Sequence, residues 1–209
     1  MRLTWLGHSS LRIESGAKIV FIDPYAGDES LYVPSDLILI SQWHFDHCSV
    51  NLVKKASNDL TVILGTPEVA AQLFPCGVLH VDEHRIFDDV EVIGMPAKNP
   101  HIDIIRHADN VSKLGFLLNA EKKIVYFMSD SDFVPGTENL RPDLLLIPVG
   151  GTYTQGPREA AKTASLLNPK LAIPIHWGSV VGTRDDAEVF KELVDFPVKI
   201  LNAGESIEL

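Results

Sequence analysis

The chain has 209 residues, 45% of them hydrophobic and 22% charged, with a formal net charge of -10. These values predict one globular domain, residues 1–209, able to bury roughly 70% of its unfolded surface without covalent staples. The acidic balance counts against a broad phosphate-backbone partner, because nucleic-acid binders gather Lys and Arg. Two cysteines, Cys48 and Cys76, cannot build a disulfide framework and fit a reduced, cytoplasmic setting. The opening Met1–His8 lacks an uninterrupted apolar core, and no apolar run approaches the ~18 residues of a membrane span. The expected partner is therefore a small molecule rather than a nucleic acid or a membrane. A homo-oligomer is compatible with the composition.

In chain order, β-branched apolar runs predict strands at Arg2–Leu6, Leu11–Glu14, Lys18–Ile22 and Leu37–Ser41. A helix is expected after His47. Next come a strand at Thr61–Leu64 and a helix from Thr66-Pro67-Glu68 to Phe74, with a capping Thr and proline at the first helical position. His80 and His84 flank a short acidic turn and are expected at the surface. Strands follow at Val90–Met95, Leu114–Leu118, Ile124–Met128 and Leu144–Pro148, with a hairpin turn over Asn119–Lys122. A helix opens at Pro157-Arg158-Glu159 and stops at Asn168-Pro169. After a strand at Leu171–Ile175, Thr183 and Asp186 resemble a capping box for a helix toward Val194, and Val198–Leu201 reads as a last strand. Several strands are apolar throughout, which implies burial on both faces. Sheets packed together with helices outside, an α/β arrangement, is the natural solution.

The chemically informative stretch is Ser41-Gln42-Trp43-His44-Phe45-Asp46-His47, directly after a buried strand. Two imidazoles and a carboxylate within four residues suit zinc, iron, manganese or nickel. Asp130, His176 and His101 stand in comparable places, each following an apolar run. Strand ends on one edge of a sheet converge, so ligands distant in sequence can meet there. Read singly, Asp130 could equally be a turn residue and His176 a core histidine; the shared placement favours ligands.

The run also resembles the metallo-β-lactamase superfamily, whose motif is His-x-His-x-Asp-His followed by a distant His, an Asp and a final His. Trp5-Leu6-Gly7-His8-Ser9, Ile22-Asp23-Pro24, Ile147–Thr154 and Ile173-Pro174-Ile175-His176 are similar to its small ascorbate-phosphate-lactonase-like branch. The resemblance implies an αββα sandwich with one or two metal ions at its edge, zinc first, with Mn2+, Fe2+ or Ni2+ as alternatives. His44 and His101 would serve a first ion; Asp46, His47 and His176 a second; Asp130 would bridge them. Met95–His101 matches the family's approach to its distant histidine better than His107 does. The motif's first histidine is Gln42 here, which replaces an imidazole nitrogen with a harder amide oxygen and predicts a weaker first site. Gln42 could alternatively only hydrogen-bond. His8 and Asp23 are expected behind the ligands, Asp23 accepting a ring N–H.

The chemistry so implied is metal-dependent hydrolysis of a small ester, lactone or phosphate-bearing metabolite, with Asp46 orienting the nucleophile or moving its proton. Trp43 and Trp177 adjoin ligands and would wall the pocket. Lys98, Arg106 and Arg158 are candidate anion contacts, though each also reads as an ordinary surface charge. Competing readings are a nuclease, a redox diiron protein, and a non-catalytic protein that keeps the fold and binds a metal or ligand.

Overall fold

The apolar runs pair into two sheets, in a computed structural model that describes residues 1–99 and 113–209. The first sheet contains β1 (Arg2–Gly7), β2 (Ser10–Ser15), β3 (Lys18–Ile22), β4 (Leu37–Ile40), β5 (Val62–Gly65), β6 (Gly77–Val78) and β13 (Ser206–Glu208), in the order β13-β1-β2-β3-β4-β5-β6. The second contains β7 (His84–Phe87), β8 (Val90–Pro96), β9 (Leu114–Ala120), β10 (Lys123–Phe127), β11 (Leu144–Pro148) and β12 (Leu171–Ile175), in the order β12-β11-β10-β9-β8-β7. Each sheet is part antiparallel and part parallel. The parallel parts run β3-β4-β5-β6 and β10-β11-β12.

Among the described residues the α-helices are α1 (Val50–Ala56), α2 (Pro67–Gln72), α3 (Pro157–Leu167) and α4 (Arg184–Glu192). Strand alternation creates the layers. Within the fully buried β4, Leu37 and Leu39 join the core between the sheets, whereas Ile38 and Ile40 join a second cluster with Leu52, Val53 and Val69 of α1 and α2. On the other side, α3 packs on β11 and α4 on β12. The result is helices, sheet, sheet, helices, as the αββα expectation required.

Local signals act where expected. Thr66 accepts the Val69 N–H at 3.3 Å and α2 begins with Pro67. Asn168, at φ 46, ends α3 in the left-handed region before Pro169. The Thr183 N–H donates to Asp186 at 2.7 Å to open α4. Glu121 and Lys122 both have positive φ (50 and 60), as a two-residue hairpin turn requires.

Three expectations change. The helix after Thr66 ends at Gln72 rather than Phe74, and the one after Thr183 at Glu192 rather than Val194. Val198–Leu201 is not a strand: Pro197 lacks an N–H, and only Val198 bridges Ala172 beyond the edge of β12. His84 stands beside the turn at the surface as expected, and there it begins β7 and pairs with Glu91 at 2.8 Å. The short β6 and β13, each two or three residues long, carry too few residues to show a period. Among the described residues, no helix is long and apolar enough to cross a membrane.

Candidate metal centre

β1, β3 and β4 point the same way in the first sheet, and β10 and β12 share a direction in the second. Their C-terminal ends deliver His8, Asp23, the 41–47 loop, Asp130 and His176 to one rim. The two sheets are stitched there by backbone bonds, His176 N–H to His8 O at 2.9 Å and Leu114 N–H to Ser41 O at 2.9 Å. His8, Asp23, Ser129 and His176 all have positive φ, 46 to 59, which bends the chain sharply at the strand ends. A non-glycine residue in that region costs about 1–2 kcal/mol and persists where surrounding contacts impose it. His176 also needs Gly150 beside it: a Cβ there would lie 2.3 Å from the His176 carbonyl oxygen.

One ligand-type atom from each of His8, Asp46, His47 and His176 lies within 4.8 Å of the others, and all four residues are buried. His8 Nε2 is 3.2 Å from Asp46 Oδ2, and His176 Nε2 is 3.8 Å from that same oxygen. Asp130 completes the group, with Oδ2 at 3.2 Å from His47 Nε2 and Oδ1 at 3.1 Å from His176 Nε2. The last approach is not aligned as a hydrogen bond, and both atoms are buried without another partner. A buried imidazole nitrogen and a carboxylate oxygen this close with no hydrogen bond between them fit a shared cation. Imidazole and carboxylate donors at this density suit zinc and its neighbours.

Asp23 stands behind the group. Its Oδ2 is 2.7 Å from His47 Nδ1, and it also accepts the Ser41 hydroxyl (2.6 Å) and the Ser41 N–H (2.7 Å). Holding the proton on Nδ1 leaves His47 Nε2 as the outward lone pair. The sequence placed Asp23 in this role. It placed His8 there too, but His8 Nε2 lies inside the group. His8 follows the apolar run Arg2–Leu6 as Asp130 and His176 follow theirs, so the same placement signal could have found it.

The charges are tightly coupled. Burial disfavours the charged form of Asp130, yet His176 and His47 outweigh it and hold its carboxyl well below the usual range. Burial works against protonation of His47, but Asp130 and Asp23 overcome it and raise its pKa well above the ordinary histidine value. His8 is shifted the other way: burial lowers it, and its bond to Asp46 offsets only part. Burial pushes the Cys48 thiol up to about 12, which fits an inert packing residue.

His44 lies at the rim. With Asp46 and Asp130 it forms the polar side of a cavity of about 300 Å³ walled by Trp43, Phe45, Tyr153 and Val180. Phe45 is 71% exposed there. Trp177 does not reach this wall: it is buried and stacked on Trp5, ring centres 4.8 Å apart. Lys98 and Arg158 are exposed and lie outside this wall. Gln42 is buried and donates its amide N–H to Asp130 Oδ2 at 2.8 Å. His101, Arg106 and His107 lie outside the described residues.

With this geometry in place, comparisons with known proteins agree. A family model described as the β-lactamase superfamily domain matches residues 2–176. The chain is 32% identical to a UPF0173 metal-dependent hydrolase of Methanopyrus kandleri over the full length of both. It is similar in fold to a protein from Parabacteroides distasonis described as a metal-dependent hydrolase (TM-score 0.84, 23% identity, 95% of this chain and 91% of that one). It is also similar to a protein of Thermotoga maritima described as a Zn-dependent hydrolase (TM-score 0.65, 23% identity, 95% and 97%). The four-layer fold, the buried His and Asp cluster and the full-length similarity together place the chain in the metallo-β-lactamase superfamily, within the UPF0173 family of metal-dependent hydrolases.

Proposed function

We propose that the protein hydrolyses a small ester, lactone or phosphate-bearing metabolite at a metal ion held by His8, Asp46, His47 and His176 together with Asp130. The observation that carries this reading is the convergence of buried, unpartnered His176 Nε2 and Asp130 Oδ1 at 3.1 Å within the four-residue cluster. Zinc is the metal we favour, on the donor set and on the description of the Thermotoga maritima relative in fold. A bound ion of this kind supplies a water whose pKa falls to about 7 and an electrophilic grip on the reacting oxygen.

The chain's own residues do the rest. Asp23 fixes the His47 ring and its tautomer. Asp46 lines the cavity beside the cluster, its Oδ2 3.2 Å from His8 Nε2, and its carboxylate would accept a proton from the attacking water and return it to the leaving oxygen. Trp43, Phe45, Tyr153 and Val180 give the cavity an apolar wall, and about 300 Å³ suits a metabolite rather than a polymer. The net charge of -10 further disfavours nucleic acid.

The test is turnover by the metal-loaded protein on a panel of an aryl ester, a lactone, a phosphomonoester, a phosphodiester and an RNA oligomer. Hydrolysis of an ester, lactone or phosphomonoester that is abolished by a chelator is expected. Metal-loaded protein that turns over none of these would leave the non-catalytic reading in its place, and preferential cleavage of RNA would establish the nuclease.

A further inference from the structure

We propose that the protein holds one metal ion rather than two, and that the Gln42 amide, by donating to Asp130, occupies the place of the second. This rests on the metal-site reading above. Gln42 follows β4 at the head of the Gln42–His47 run and is 1% exposed, so its side chain faces the centre and not solvent. Its Nε2 lies 2.8 Å from Asp130 Oδ2. An ionised carboxylate only accepts, so the amide must present its NH2 and not its oxygen, and the orientation of the group is determined.

That bond changes what Asp130 can do. To bridge two cations, a carboxylate must offer lone pairs to both. Oδ2 already receives the amide hydrogen and faces His47 Nε2 at 3.2 Å, while Oδ1 faces His176 Nε2 at 3.1 Å. A second cation approaching from the Gln42 side would meet a partially positive N–H instead of a lone pair. It would have to break a buried hydrogen bond to a charged acceptor before gaining any bond of its own. The only donor Gln42 could return is its amide oxygen, a poorer partner for zinc than imidazole.

Meanwhile the remaining donors suffice for one ion. His8, Asp46, His47 and His176 bring their atoms within 4.8 Å, and Asp130 adds a fifth residue, against the four ligands usual for zinc. Gln42 is thus a positioning residue that holds Asp130 as a terminal ligand. The opposing reading uses the Gln42 Oε1, which is buried without a partner, as a ligand to a second ion.

The experiment counts metal. The metal-free chain is saturated with Zn2+, freed of excess by gel filtration and measured for zinc per chain; a parallel Co2+ sample is examined by electron paramagnetic resonance for coupling between ions. The unmodified protein should level off at one ion per chain with an uncoupled cobalt signal. Gln42→Met, which removes the amide at similar bulk, should also stop at one. Gln42→His should rise to two, with coupled cobalt. Two ions in the unmodified protein would overturn the proposal, most directly if Gln42→Met then falls to one. A folded Gln42→His that still stops at one would deny the amide its role. If that variant does not fold, the unmodified protein and Gln42→Met decide. No zinc or cobalt in any form would instead overturn the metal-site reading on which the proposal rests.

Discussion

The strand ends at the metal centre and the hairpin turn between β9 and β10 use one backbone state for opposite purposes. At the turn, Glu121 and Lys122 take positive φ with exposed or half-exposed side chains, and the conformation serves only to reverse the chain. At the centre, His8, Asp23, Ser129 and His176 take the same region with side chains that are fully buried. There the bend throws an imidazole or carboxylate inward from the end of a rigid strand. The cost of left-handed backbone is similar in both places. What differs is whether the side chain delivered is needed, and substitution can separate the two.

The largest effect should come from His176→Ala, which keeps the backbone and removes the delivered group. Metal affinity should fall by more than the roughly 10–100-fold typical of losing a ligand's hydrogen-bond partner. Chelator competition measures it, and an unchanged dissociation constant would remove His176 from the metal site. Asp23→Ala should weaken metal binding roughly 10–100-fold by loosening His47. It should also lower stability by about 1–3 kcal/mol, since the Ser41 N–H and hydroxyl lose their buried acceptor. Calorimetry on the metal-free protein separates the two effects; metal affinity unchanged at full folding would show that Asp23 only braces Ser41.

The pH dependence sharpens the contrast, because the centre holds buried imidazoles and the turn holds none. His47 has a raised pKa in the folded, metal-free protein, owing to Asp130 and Asp23, which together overcome burial. Its contribution to stability is therefore fully present below about pH 6.5, its unfolded value, and is lost as pH rises through the raised folded value. Metal must displace that proton, so affinity should rise by up to about tenfold per pH unit over the same window. The melting temperature of the metal-free protein should fall with pH while metal affinity climbs. Parallel trends, or affinity flat with pH, would mean that His47 holds no proton to displace.

The smallest effects are a matched pair. Ser129→Gly and Lys122→Gly each relieve left-handed backbone, by about 1 kcal/mol, or about 2–4 °C in Tm for a chain of this size. Lys122→Gly should leave metal binding untouched. Ser129→Gly should stabilise as much or more, because the Ser129 hydroxyl is buried without a partner. It should also loosen Asp130 next to it and cost a few-fold in metal affinity. Equal metal binding in both variants would mean that the bend at Ser129 is not what aims Asp130.

How much of this was legible in advance follows from the range of each interaction. The apolar runs Leu37–Ser41, Leu144–Pro148 and Leu171–Ile175 show as strands because their pattern is local and dense. Asp46, His47, Asp130 and His176 stand out because each follows such a run. Asp23 could be assigned a place behind a ligating histidine from Ile22-Asp23-Pro24 at a strand end, and the structure shows that histidine to be His47. His8 carries the same signal, since it follows Arg2–Leu6, but only tertiary structure shows which groups His8 and Gln42 meet. Nothing in the sequence spacing relates residue 8 to residue 46; the two meet because β1 and β4 run the same way and end on one edge of the first sheet, and His8 Nε2 then lies 3.2 Å from Asp46 Oδ2. Likewise the sequence places an amide at position 42 but not its partner 88 residues away, the carboxylate of Asp130 at 2.8 Å. Local chemistry chooses the groups that can bind a cation. Which of them share an ion, and which are spent on one another, depends on distances of a few tenths of an ångström that only the packed sheets determine.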